Sequence, residues 1–225
     1  RTGEQGQRNC PEAMPRTKSS QAWLQRHFKD PYVKQAQREG ARSRAVYKLA
    51  ELDQRDKLLR PGMRVIDLGA APGGWAEYAV KRISPGGRLI ALDILPMEPI
   101  AGAECVQGDF TETAVLDSLI ERLGGARVDL VMSDMAPNIS GIVSADQART
   151  VYLAELAYEL ATKTLTPGGM LLVKVFQGAG FKELYQALQR SFAKVATRKP
   201  KASRTESREV YVLAKGFKLG DQRPI

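Results

Sequence analysis

The chain has 225 residues, 43% of them hydrophobic and 26% charged, with a formal net charge of +9. That length supports one core with a small accessory lobe, and no apolar run approaches the roughly 20 residues a membrane helix needs, so a single domain without membrane contact is expected. The charge is segregated: residues 1–48 hold 11 basic and 4 acidic side chains, 49–189 hold 13 and 18, and 190–225 hold 10 and 3, so a polyphosphate gripped by both ends is the expected partner.

The first 18 residues are polar and broken by proline, lack the apolar core of a secretory signal, and read as a disordered tail in which Met14 is a candidate natural start. Cys10 and Cys105 make neither a disulfide pair nor a metal set, so a reducing cytoplasmic compartment is expected. Ser20 reads as the N-cap of a helix over QAWLQRHF, whose His27, the only histidine, is a packing residue. Asp30 and Pro31 read as the cap and first position of a second helix ending near Gly40. Ser43 reads as the cap of a third, RAVYKLAELDQRDKL, in which Val46, Leu49 and Leu52 or Asp53 share an apolar face and Lys48 lies one step off it. Arg60-Pro61-Gly62 then closes a basic helical extension over 19–60.

The core expected over 61–217 alternates strand and helix: RVIDL, helix WAEYAVKRI, RLIALD, AECVQGD, then a helix from Thr111 to Leu123. VDLVMSD follows, then a long helix from Asp146 to Leu165, the turn TPGG, and MLLVKVF. Helix FKELYQALQRSF and strands AKVATRK and REVYVLA finish it, with 218–225 as a short tail. This is an α/β pattern: a Rossmann-like, seven-stranded, mostly parallel sheet, with the last two strands an antiparallel edge because no helix separates them.

Between Val65 and Trp75 the run VIDLGAAPGGW is a strand, a glycine-rich turn and a helix start, the arrangement that brings backbone close to a ligand at Gly69, Gly73 and Gly74. Asp67 sits where a pyrophosphate would approach, so its charge favours a cationic, phosphate-free donor such as S-adenosylmethionine over a nicotinamide dinucleotide. Acids close the next strands, where open α/β sheets bind ligands. Asp93, about 20 residues after Gly73, suits ribose hydroxyls or a simple turn. Asp109 suits an adenine amino group or a helix cap, and Asp134 follows the fourth strand. Trp75 either packs on the cofactor or staples its helix to the sheet.

Lys174, inside the apolar strand LLVKVF, is either a strand-end lysine that snorkels or a desolvated general base beside Asp134. With these motifs in view, TKSSQAWL, ARSRAVYKL, DLGAAPGGW, SDMAPNISG, VKVFQG and SREVY together resemble the FtsJ/RlmE family of ribose 2′-O-methyltransferases of bacterial large-subunit ribosomal RNA, over Thr17 to Phe217. The resemblance implies a catalytic tetrad of Lys48, Asp134, Lys174 and Glu209, and cofactor contacts at Gly73, Trp75, Asp93, Asp109 and Asp134. It implies methylation of an A-loop uridine of 23S rRNA in the 50S subunit, by a monomer. The chain departs from the family's SGTPAVD after SDMAPN, reading SGIVSAD instead, which leaves the lid around Ile142 to Asp146 open. Arg42, Arg44, Lys199, Lys201, Arg204 and Arg208 are the expected phosphate contacts, with Tyr47, Tyr211 and Phe176 as base-stacking or core residues. Two alternatives stand beside this: a cap or transfer-RNA ribose methyltransferase, and a non-catalytic RNA-binding assembly factor.

Overall fold

Runs of Val, Ile and Leu that must be buried on both faces can be satisfied only as inner strands covered by helices, and the computed structural model arranges them so. It describes residues 30–137, 140–204 and 207–219. The expected N-terminal tail, the Ser20-capped helix with His27, and residues 220–225 lie outside the described residues. The strands are β1 (Arg64–Leu68), β2 (Arg88–Asp93), β3 (Ala103–Gln107), β4 (Val128–Ser133), β5 (Leu165–Phe176), β6 (Phe192–Arg198) and β7 (Glu209–Phe217). They form one sheet in the order β3-β2-β1-β4-β5-β7-β6, parallel from β3 to β5, with β7 antiparallel to both β5 and β6. Strand order reverses between β1 and β4, which opens a crevice beyond their carboxyl ends.

The helices are α1 (Pro31–Glu39), α2 (Ala45–Asp56), α3 (Gly74–Ile83), α4 (Thr113–Leu123), α5 (Val143–Thr164) and α6 (Phe181–Ser191). Two apolar layers result. Leu49 and Leu52 of α2 and Trp75, Ala76, Ala79 and Ile83 of α3 pack on the sheet face that carries Met132, Leu172, Tyr211 and Leu213. Leu119, Val151, Ala157, Leu184 and Leu188 of α4, α5 and α6 cover the opposite face with Val173, Val175, Val210 and Val212. The strand period of two therefore decides which side each residue of β5 and β7 serves.

Three expectations are corrected. Asp30 does cap α1, accepting from Tyr32 N at 3.0 Å, but Ser43 does not cap α2: that helix starts at Ala45 after Arg44, and the Ser43 hydroxyl is buried with no hydrogen-bond partner. The long helix starts at Val143, three residues earlier than expected, where the Asp146 carboxylate accepts from Ser140 N, Ser140 Oγ and Gly141 N and so folds the entering chain back onto the first turn. The TPGG segment is not a free turn but the irregular start of β5, where the register with β4 shifts between Val128 and Leu130. Proline offers no ladder donor there and Gly168 takes φ +82°, so a bulge absorbs both.

The apolar face of α2 carries a buried acid. Asp53, 1% exposed, accepts from Leu58 N and Leu59 N at 2.9 Å each, from Tyr78 Oη at 3.0 Å and from Arg82 Nε at 3.1 Å, so it locks the chain leaving α2 to α3. Asp56 is gripped by Arg198 Nε and Nη2 at 2.8 Å each, and Lys215 donates to its carbonyl, which fastens α2 to the β6–β7 edge. The Arg198 hydrogen bonds hold the Asp56 carboxyl below its ordinary range against the opposing effect of burial. Asp56→Asn is expected to cost about 1 kcal/mol at neutral pH in chemical denaturation. Because the folded-state pKa is the lower one, the wild-type advantage is complete above the unfolded carboxylate pKa of about 4 and disappears as pH falls through the folded value.

Candidate active site

The carboxyl ends of β1, β2, β3 and β4 and the second and third turns of α5 surround a cavity of about 610 Å³, lined among others by Gly69, Ala71, Asp93, Asp109, Asp134 and Tyr152. That size lies in the range of small-molecule sites, roughly 300–1,000 Å³. Both Asp93 oxygens are engaged by backbone, Oδ2 by Ala71 N at 2.9 Å and Oδ1 by Leu95 N at 2.8 Å, which ties the glycine-rich turn to the segment after β2. Asp109 accepts from Thr111 Oγ1 at 2.7 Å and Thr111 N at 2.8 Å, and these bonds keep its carboxyl low. It therefore caps a tight local turn, not the helix, which begins at Thr113. Each acid keeps lone pairs for further donors. Three acids and Arg149, among apolar Leu92, Ile94, Leu95, Phe110, Met135 and Leu153, suit a ligand that carries hydroxyls, an amino group and positive charge. S-adenosylmethionine has that chemistry.

Three of the expected cofactor residues sit elsewhere. Asp67 is fully buried, its two oxygens have no hydrogen-bond partner, and burial first, then Asp134 and Asp93, push its pKa well above the carboxylate range. The side chain lies inside the sheet and does not line the cavity, so it is not placed at the turn where the sequence reading set it against a pyrophosphate. Trp75, 3% exposed, donates from Nε1 to Ala45 O at 2.8 Å and packs on Tyr211 with ring centroids 5.7 Å apart, which makes it the staple of the two readings. Gly73 lies behind the cavity wall, where a Cβ would stand 2.7 Å from Ile100 Cδ1. Gly69, at φ +72°, does line the cavity, and a Cβ there would meet Met135 Cγ at 2.6 Å. These glycines serve close chain packing as much as ligand approach.

Asp134, in the cavity wall, joins it to a charged cluster. Ser133 pairs with Val173, so Asp134 and Lys174 emerge side by side at the ends of neighbouring strands. Lys174 pairs with Tyr211 and Phe176 with Glu209, so Lys174, Tyr211 and Glu209 share one face of the sheet, the face on which α2 places Lys48. Lys174 Nζ lies 2.9 Å from Asp134 Oδ1 and also donates to the Asp134 carbonyl. Lys48 Nζ lies 2.7 Å from Glu209 Oε1, which Ser203 Oγ also engages at 2.9 Å. Between the two pairs stands Tyr211, wholly buried, donating to Asp134 Oδ1 at 2.7 Å, with Lys48 Nζ 5.7 Å from its ring centroid.

Burial raises the pKa of Asp134, but Lys174, Lys48 and the Tyr211 hydroxyl outweigh it and hold the carboxyl below its ordinary range. Tyr211 moves the other way: burial, then Asp134 and Glu209, push its phenol well up, so it stays a hydrogen-bond donor. Sequence reading placed Tyr211 only among stacking or core residues. Its alternation with Glu209 on β7, opposite Lys174, was the available signal.

The six expected phosphate contacts divide. Arg44 is paired with Asp30 and donates to Ala202 O, and Arg204 Nε stands 3.5 Å from the same Asp30 carboxylate. Arg42 donates to Glu98 O and Pro99 O at 2.9 and 2.8 Å. These three make contacts within the chain and remain part-exposed. Lys199, Lys201 and Arg208 are exposed, Lys199 donating to Ser207 O at 2.8 Å. Tyr47 donates to Glu39 Oε2 at 2.6 Å, on the flank of α1.

A family model described as FtsJ-like methyltransferase matches residues 41–217. The chain is 57% identical over 200 residues to a protein of Azoarcus sp. (strain BH72) named ribosomal RNA large subunit methyltransferase E, covering 89% of this chain and 98% of that one. It is 55% identical over 206 residues to the protein of the same name from Legionella pneumophila (strain Corby), covering 92% and 100%. A crystal structure described as a ribosomal RNA methyltransferase from Plasmodium falciparum superposes with a TM-score of 0.71 at 29% identity, over 78% of this chain and 98% of that one.

Proposed function

The chain belongs to the FtsJ-like methyltransferase family, and from that premise we propose that it methylates a ribose 2′-hydroxyl of large-subunit ribosomal RNA, with S-adenosylmethionine as donor and the 23S A-loop uridine in the 50S particle as target. One observation carries the reading: Asp134, in the wall of an acid-lined cavity at the strand switch point, is ion-paired to the buried Lys174, with a second lysine–glutamate pair on the far side of Tyr211. The relatives' names supply the RNA class.

Bound in the cavity, S-adenosylmethionine supplies an electrophilic methyl group on a sulfonium. The chain's own residues do the rest. A ribose hydroxyl is a very weak acid, so it must be held in line and give up its proton as the new C–O bond forms, while the methyl–sulfur bond would break and leave a neutral thioether. Lys174, after giving up its own proton to solvent, is the proposed acceptor of that proton through the lone pair of its neutral amine, which the carboxylate and the carbonyl of Asp134 hold in place. Lys48, steered by Glu209, is the proposed contact for the neighbouring phosphate or sugar. Asp93, Asp109 and Asp134 are the proposed donor-binding acids, with Gly69 in the floor and Gly73 and Trp75 supporting them from behind. Lys199, Lys201 and Arg208 are the proposed phosphate contacts.

Tyr211→Phe deletes one donor to Asp134 while keeping the ring, and is expected to lower kcat about tenfold with donor affinity little changed, measured by single-turnover transfer. The function itself is tested with radiolabelled donor offered to 50S particles, free 23S rRNA, transfer RNA and capped RNA. Ribose methylation mapped to the A-loop of the particle is expected. Preferred labelling of transfer or capped RNA would move the substrate, and failure to bind donor at all would favour an assembly factor.

A further inference from the structure

The geometry points to Arg42 as a positioning residue for the donor cavity, bracing from the outside the two segments that form its adenosine-side wall; this rests on the reading that the cavity holds S-adenosylmethionine. One segment is the glycine-rich turn, which contributes Ala71, and the other is the chain after β2, which contributes Ile94 and Leu95. Asp93 ties them on the cavity side, through Ala71 N and Leu95 N. Arg42 is a second tie on the other side. Its Nη1 donates to Glu98 O at 2.9 Å and reaches Pro72 O at 3.5 Å, its Nη2 donates to Pro99 O at 2.8 Å, and its Nε stands 3.8 Å from Glu77 Oε2.

The glycines of the turn are shaped to this brace. A Cβ on Gly73 would stand 3.2 Å from Arg42 Cδ, and one on Gly74 would stand 2.5 Å from Ser43 Oγ. The link between α1 and α2 thus lies directly on the turn, and the buried, unpartnered Ser43 hydroxyl marks how closely it is pressed there. Chain 94–102 has no helix or strand of its own and Ile94 and Leu95 are 61% and 59% exposed, so the segment depends on a few ties: Gln107 Nε2 on Ile94 O at 3.1 Å, the buried Ile100, and Arg42 on Glu98 O and Pro99 O. A guanidinium fork can serve carbonyls on both segments at once, whereas a lysine ammonium at the end of a flexible stem cannot span the same set.

The test separates a brace from a phosphate contact. Full-length wild type, Arg42→Ala and Arg42→Lys are compared by calorimetric titration with S-adenosylmethionine and by RNA binding across a salt series. Both variants are expected to weaken donor binding by roughly tenfold, with RNA affinity and its salt slope as in wild type. The loss should appear in KM for the donor and be recovered at saturating donor. Gly74→Ala, which displaces Ser43 without altering any charge, should weaken donor binding in the same direction. Donor affinity unchanged in Arg42→Ala and Arg42→Lys overturns the proposal, above all if RNA affinity falls in Arg42→Ala and is kept in Arg42→Lys. Equal loss of donor and RNA binding overturns it as well. Wild type that binds no donor sinks instead the reading of the cavity.

Discussion

Lys174→Ala is expected to lower the rate of methyl transfer by between about a hundredfold and ten-thousandfold, the span associated with a positioned acid or base, while donor and RNA binding stay within about twofold. The side chain is 6% exposed and its amine is turned onto a carboxylate oxygen and the carbonyl of Asp134, so it contributes little to the surface that either ligand covers. Lys174→Arg sharpens the comparison. Arginine keeps the cation beside Asp134 but does not give up its proton in proteins, so it should restore packing and charge without restoring transfer. Single-turnover transfer on 50S particles, with calorimetry for the donor and circular dichroism for the fold, reads all three quantities. Arginine-supported turnover near the wild-type rate would mean that charge alone is what the site needs, and the proton-acceptor role would be lost.

Asp67→Asn is expected to stabilise the protein at neutral pH, by about 1–3 kcal/mol. The native carboxyl has no exposure and no hydrogen-bond partner, and its pKa is raised by burial and then by Asp134 and Asp93. The folded chain therefore keeps a proton at this site that the unfolded chain releases above a pH of about 4. With more protons bound to the folded than to the unfolded state, stability falls as pH rises from that value toward the folded pKa. Asparagine has no proton to lose. The gap in Tm between variant and wild type should be small near pH 4 and widen toward pH 8, and a gap that stayed level across that range would refute the account. A residue that weakens the fold in this way, directly beneath the acids of the cavity, is better explained by the site than by the core.

Much of the architecture was legible because it is written in local periodicity. The apolar runs RVIDL, RLIALD and VDLVMS and the 3.6-residue pattern of FKELYQALQRS can each be buried in only one way, so element order and the α/β class follow from the chain. Boundaries were less secure where a tertiary partner sets them. Helix α5 starts early where Asp146 collects the donors of Ser140 and Gly141, and TPGG joins β5 because β4 is there to pair with. Acids at strand ends were readable as a ligand crevice, since topology puts successive carboxyl ends along one edge. Which glycine faces the cavity was not, because that depends on Met135, Ile100 and Ser43 arriving from distant sequence.

The basic residues make the same division most clearly. Composition determined that the two ends of the chain are positive and its middle negative, a property of the sequence that no folding can change. Only the tertiary structure decided what each of those charges faces: Arg44 and Arg204 share the one carboxylate of Asp30, and Arg42 donates to carbonyls, while Lys199, Lys201 and Arg208 are exposed. Likewise the sequence alone held the four residues Lys48, Asp134, Lys174 and Glu209, and the antiparallel return of β7 along β5 brought the last of them, with Tyr211, onto the face α2 covers. The physical reason is common to both. Residue type and period are local and survive in any conformation, whereas pairing, burial and the charge a group carries depend on which distant atoms stand within a few ångströms of it.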